Sequence, residues 1–320
     1  MGTSARYVVQ QGDTREEIAK KFKTTPLQID AITGGQLWVG RVIYVTVETP
    51  GPSLPMGQVA RPPVLEISAR LNSVGSKIKN PAEARRNEFE LQLRLALYMI
   101  RMDTDPNGRN VVDLAWRRDI PIVPWSPALF ETFKANAKAK AEKFWSHRFR
   151  LWPPAGYPFF NWPAGSSGQP LGVTCSLSID YRLSHAGSTH WVRCYRRGND
   201  EVMTAALNSG NWTDAILSDQ SMDLRDKSGT AIRTTSITLA HEVGHLLGLQ
   251  HPVSQCSGEE LKCYGDNGEA SQIRNIMGAE DQVNRSNATP WLQRIEQHTG
   301  VPAARWTVHV LDSIGNPLFL

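Results

Sequence analysis

Residues 241–251 read HEVGHLLGLQH. An α-helix turns about 100° and rises about 1.5 Å per residue, so His241 and His245, four apart, project from nearly one face, one turn apart. Both imidazoles can therefore reach a single ion. His251 would lie roughly 15 Å further along a continuous helix and on another face. The helix must stop before it, and Gly248 supplies the stop, because glycine accepts the left-handed conformation that ends helices. The returning chain then brings His251 to the same ion. Three imidazoles without a fourth protein ligand leave one coordination position open, which is the pattern of a catalytic rather than a structural zinc. Water in that position has its pKa lowered to about 7 and becomes a usable nucleophile. Glu242 follows His241 directly and is placed to act as general base without being a ligand.

Taken together, His241, Glu242, His245, Gly248 and His251 match the HExxHxxGxxH signature and so resemble the metzincin zinc peptidases. Asn275-Ile276-Met277-Gly278 is similar to the methionine turn of that family. The resemblance implies that Met277 forms an apolar floor under the histidines and is not a ligand. It covers about residues 230–280. It implies a twisted sheet backing the active-site helix, an edge strand that takes substrate in extended form, and a peptide or protein substrate cut internally. No tyrosine follows Met277 closely, so the tyrosine some metzincins use has no assigned counterpart here.

The elements that must position these residues are read from the rest of the chain. At 320 residues it is long enough for two or three domains, and 40% apolar and 21% charged residues are ordinary for a globular protein. The net charge of +4 is small for this length and gives no argument for nucleic acid. No run approaches 18 apolar residues, so a membrane span is not expected. The first 30 residues lack the apolar core of a secretory signal, and Arg6 breaks a myristoylation pattern.

In the first 50 residues, Tyr7-Val8-Val9 has strand character and Gly12-Asp13-Thr14 a turn. Thr14 and Glu17 form a capping box ahead of Ile18, Ala19 and Phe22. Thr25-Pro26 opens a second helix, Gly34-Gly35 breaks it, and Val42-Ile43-Tyr44-Val45 is a second strand. This βααβ order, with YVVQQGDT, IAKKFKTT and LWVGRVIYV, resembles a LysM module. The resemblance implies binding to an N-acetylglucosamine polymer, peptidoglycan or chitin, through Gly12, Asp13, Thr14, Ile32, Thr33 and Gly34. A small module that only docks onto the enzyme is the plainer alternative. The proline-rich stretch from Thr49 to Pro63 reads as a semi-extended spacer.

Asn80-Pro81-Ala82-Glu83 looks like a helix start, followed by Phe89, Leu93, Leu97 and Ile100 on one helical face. Ser126-Pro127 opens another helix with Phe130, Phe133, Ala137, Ala141 and Phe144 inward. Its Lys134, Lys138, Lys140 and Lys143 read as a solvated face, with an anionic wall polymer as the alternative partner. Phe149–Trp152, Leu177–Leu183 and His190–Arg196 have strand patterns, with Leu177, Ile179, Tyr181 and Leu183 alternating with polar residues as one face of the second. Thr289–His298, closed by Gly300, reads as a late helix. His147, His185 and His190 read as surface or core histidines before extra ligands, and Asp266–Glu269 as a turn before a calcium loop.

Cys175, Cys194, Cys256 and Cys263 contain no CxxC pair and do not suit a structural zinc. Of three possible pairings, the local Cys175–Cys194 and Cys256–Cys263 are expected, with free buried thiols as the alternative. Disulfides imply an oxidising compartment, and hence a secreted, periplasmic or wall-associated protein.

The expected fold class is α+β. Residues 1–48 form a LysM-like module, 49–65 a linker, 66–125 a helical region and 126–320 a metzincin-like zinc peptidase domain. The expected function is zinc-dependent endopeptidase action tethered to a glycan. The alternatives are a peptidoglycan stem-peptide amide hydrolase or antibacterial secreted effector, and a non-catalytic wall-binding protein.

Overall fold

The computed structural model describes residues 3–8, 10, 13–22, 29, 42–47, 74–113, 119–155, 157, 160, 171–198, 206–253 and 261–312. The chain divides into two compact units, residues 1–63 with 69–73 and residues 64–68 with 74–320.

In the first unit, β1 (Thr3–Val8) pairs antiparallel with β2 (Val42–Val47), in register from Thr3 opposite Val47 to Val8 opposite Val42. The helix Arg15–Lys21 begins at the expected capping box: Thr14 accepts from Glu17 N, and the Glu17 carboxylate accepts from Thr14 N. Ile18, Ala19 and Ile29 are buried, with Tyr7 and Phe22 packed against them. Most of the expected second helix lies outside the described residues, as do Gly12, Ile32, Thr33 and Gly34.

The second unit is built on a ten-stranded sheet. Its first strands are β3 (Val74–Lys79), β4 (Phe89–Met102), β5 (Val111–Asp113) and β6 (Asp119–Val123). The helix Pro127–Trp145 follows, and then β7 (Phe149–Trp152), β8 (Val173–Tyr181), β9 (His190–Arg197), β10 (Ala206–Asn208) and β11 (Asn211–Thr213). A separate hairpin, β12 (Gln220–Arg225) with β13 (Ala231–Ser236), precedes the helix Thr238–Leu246. The helix Thr289–Thr299 and β14 (Thr307–Val310) close the unit. The main path of the sheet is β10-β11-β9-β4-β8-β7-β14.

The expected helical region is strand instead. The helix started by Asn80 ends after Ala84, where Arg85 turns left-handed at φ 55°. β4 then runs through the centre of the sheet, parallel to β8 and β9 and antiparallel to β3. The reason is visible in its burial: Phe89, Leu91, Leu93, Leu95, Leu97 and Met99 are all buried, a period of two. Residues 89, 93 and 97 are spaced by four, which satisfies a strand as well as a helix. Leu, Gln, Arg and Met favour helix locally, and tertiary pairing on both edges overrides them. The unit carrying the site thus takes in the strands from Val74 onward, not only residues after 126.

The helix Pro127–Trp145 forms as expected, capped by Ser126 and burying Phe130, Phe133, Ala137, Ala141 and Phe144. Its lysines are not a free face: Lys138 donates to Ile179 O at 2.6 Å and Lys140 to Leu217 O at 2.8 Å. β8 ends at Tyr181, so Leu183, expected to alternate inward, is 98% exposed. The late helix ends as expected, with Gly300 left-handed at φ 69°. Among the described residues, no helix is long and apolar enough to cross a membrane.

Candidate metal centre

The helix Thr238–Leu246 carries the first two histidines. It buries Leu239, Ala240 and Val243, and is fixed to the Pro127–Trp145 helix by a hydrogen bond from Trp145 Nε1 to Ala240 O at 3.0 Å. Its end is a Schellman turn: Gly248 sits at φ 92°, Gly248 N donates to His245 O, and Leu249 N reaches back to Gly244 O, both at 2.9 Å. That reversal directs the chain back and delivers His251.

The three imidazoles converge. Nε2 of His245 lies 3.1 Å from Nε2 of His241 and 3.1 Å from Nε2 of His251, and the remaining pair is 3.3 Å apart. Three nitrogens at tetrahedral corners about 2.0–2.1 Å from a zinc ion would be about 3.3 Å apart, so this spacing fits one cation. The protons support the same conclusion. His241 Nδ1 lies 2.8 Å from Ile276 O and His245 Nδ1 2.9 Å from Leu249 O. A carbonyl only accepts, so both Nδ1 atoms carry the proton and both Nε2 atoms present bare lone pairs to one point. Burial, with the neighbouring imidazoles, pulls His241 down to about 3 and His251 to about 4, and burial lowers His245 as well. The trio is therefore neutral and able to ligate near neutral pH. Among the described residues it is the one cluster of this kind.

Glu242 is buried beside His241 on the same helix. Met277 is buried beneath, and a Cβ on Gly244 would overlap the Met277 sulfur and press on the Trp145 ring. The methionine turn is held by a pair of buried amides. Asn275 Oδ1 accepts from Met277 N at 2.8 Å, and Asn275 Nδ2 donates to Asn287 Oδ1 at 3.0 Å. Removing one member would leave the buried Nδ2 donor of the other unpaired, a cost of about 1–3 kcal/mol. Sequence reasoning singled out neither Gly244, Asn287 nor Tyr264.

The other candidates fall elsewhere. His147 lies beside Arg86, His185 packs on Trp191, and His190 is on β9; none joins the trio. Asp266 accepts from Arg225 N and Glu269 pairs with Lys227, so the Asp266–Glu269 segment clasps the β12–β13 hairpin. Cys175 and Cys194 are free and buried, which overturns the expected bond between them. They lie inside the sheet on β8 and β9, strands separated by β4, and burial pushes both thiols up. Cys256 is outside the described residues. In the first unit the Asp13 carboxylate is taken up by Tyr7 Oη and Gln10 N, both at 2.7 Å, and Thr14 by its helix cap. Both expected sugar contacts therefore already serve the module's own fold.

Three converging imidazoles, two of them on one buried helix, make a site able to hold a metal ion. Residues 182–296 match the family model of the M12B reprolysin-like metallopeptidases. No curated protein and no solved structure matches the chain.

Proposed function

We propose that the second unit is a zinc-dependent endopeptidase. The observation that carries this reading is the convergence of three imidazole nitrogens beside a buried glutamate, within a segment similar to M12B metallopeptidases. His241, His245 and His251 would hold the ion. When bound, zinc supplies Lewis acidity to a scissile carbonyl and lowers the pKa of an attacking water. Glu242 takes the proton of that water and passes it to the leaving amine. Met277, pressed against Gly244, keeps the ligand helix seated. The last strand of the sheet among the described residues, β10, pairs with β11 and runs near the ligand helix. An extended peptide added to its other edge would be held by backbone hydrogen bonds.

The first unit is read as a LysM-like module that holds the enzyme on an N-acetylglucosamine polymer. Support comes from its strand–helix–strand order and its β1–β2 pairing. The Cys256–Cys263 bond belongs to the same reading. With Cys175 and Cys194 free, Cys256 and Cys263 are the two cysteines left for it. A disulfide favours action outside the cytoplasm.

One experiment tests the reading. Zinc-loaded protein is incubated separately with a denatured protein and with purified peptidoglycan, and the products are analysed by mass spectrometry. New protein termini are expected. Muropeptides alone would move the assignment to stem-peptide hydrolysis, and no product from either would remove the enzyme.

A further inference from the structure

The three ligands are not supported alike. His241 and His245 each have Nδ1 fixed by a backbone carbonyl, Ile276 O and Leu249 O. Among the described residues, His251 Nε2 faces only the other two imidazole nitrogens, and its Nδ1 has no carbonyl like theirs. A ligand whose far nitrogen has no carbonyl partner needs another way to fix its ring, because ring orientation sets how well the lone pair points at the ion.

Tyr264 packs against that ring. Its ring centroid lies 4.8 Å from that of His251, with the planes tilted by 47°, and 5.4 Å from that of His241, with the planes at 29° and stacked. It is the last residue of the single turn Leu261–Tyr264, next to buried Cys263, and Gly265 continues the chain at φ 98°. On its other side it packs against the buried cluster of Leu224, Ile273 and Ala279. Its carbonyl lies under Gly278, the residue after Met277, where an added Cβ would come within 3.0 Å of it. Tyr264 is thus wedged between a fixed apolar cluster and two of the three ligand rings.

We infer that Tyr264 is a positioning residue: its ring face holds the His251 imidazole in the orientation that carbonyls impose on His241 and His245. This rests on the metal-binding reading of the trio. The role is assigned to the ring face, which is what packs against the two imidazoles.

The test compares Tyr264→Phe, Tyr264→Leu and Tyr264→Ala by zinc affinity in chelator competition and by the visible absorption of the Co2+-loaded proteins. Thermal melts of the metal-free proteins report folding. The Phe variant is expected to match the parent in affinity and spectrum. Leu and Ala are expected to weaken zinc by about 10–100-fold, the loss typical when the support of a ligand is removed, and to alter the Co2+ bands. The Leu variant keeps an apolar side chain in place and gives a result should Ala fail to fold. Parental affinity in a folded Leu or Ala variant would overturn the inference, as would equal loss in Phe. A parent protein that binds neither metal would instead remove the metal-site reading on which it rests.

Discussion

Gly244 faces the thioether of Met277 with no space for a methyl group between them. The helix bearing His241 and His245 therefore rests directly on the methionine turn, and the backbone of one is the wall of the other. Gly244→Ala is expected to push the helix off this seat, at a cost of about 1–3 kcal/mol from overpacking. A denaturant melt would show it. An unchanged midpoint would mean that the turn yields freely.

Glu242→Gln keeps the size of the side chain and removes its basicity. Zinc content should match the parent, while kcat should fall by at least the 10²–10⁴-fold that a general base contributes. Parallel metal analysis and peptide-cleavage assays separate the two. Retained turnover would refute the role given to Glu242.

Gly248→Ala forces a Cβ into a left-handed residue at φ 92°, for which about 1–2 kcal/mol is the usual penalty. The strain falls at the turn that returns His251, so zinc affinity should drop more than in Gly248→Asn, since asparagine tolerates this conformation better. Equal affinity in the Ala variant and the parent would count against the helix stop as the device that delivers His251.

His298 gives a pH dependence independent of the metal trio. Burial, with Arg294 alongside, pulls it down to about 4, below the 6.5 of a free histidine, while its Nε2 lies 2.9 Å from Ser76 Oγ. As pH falls, the unfolded chain takes up this proton first. Its contribution to stability is therefore lost between about 6.5 and 4, with no further loss below. In EDTA, the melting temperature of the parent should decline more steeply through that window than that of His298→Gln. Parallel curves would exclude the effect.

How much of this was readable from the sequence differs by element. The ligand set and the helix stop were legible because they depend on local geometry: offsets of four and ten residues and one glycine. Ser126 and Gly300 were legible for the same reason. β4 was misread because spacing by four residues fits both periods, and only its non-local neighbours β3, β8 and β9 decide between them. Leu183 was placed inward because alternation does not reveal where a strand stops. Tyr264, Asn287 and Gly244 act through contacts with residues 12 to 33 positions away, and no pattern within a short window signals them.

The likeness to M12B metallopeptidases ends at residue 296, yet β14 lies beyond it and pairs with β7, Val308 standing opposite Leu151. A nascent chain that has not yet delivered this strand leaves β7 with a bare edge, while the buried Trp306 is still missing from the core. Leu93 and Leu177 must likewise find each other across most of a domain of intervening chain, a slow closure. The stretch matched by the family model is therefore not a self-sufficient folding unit: residues past 296 complete the sheet of the unit that carries the three histidines.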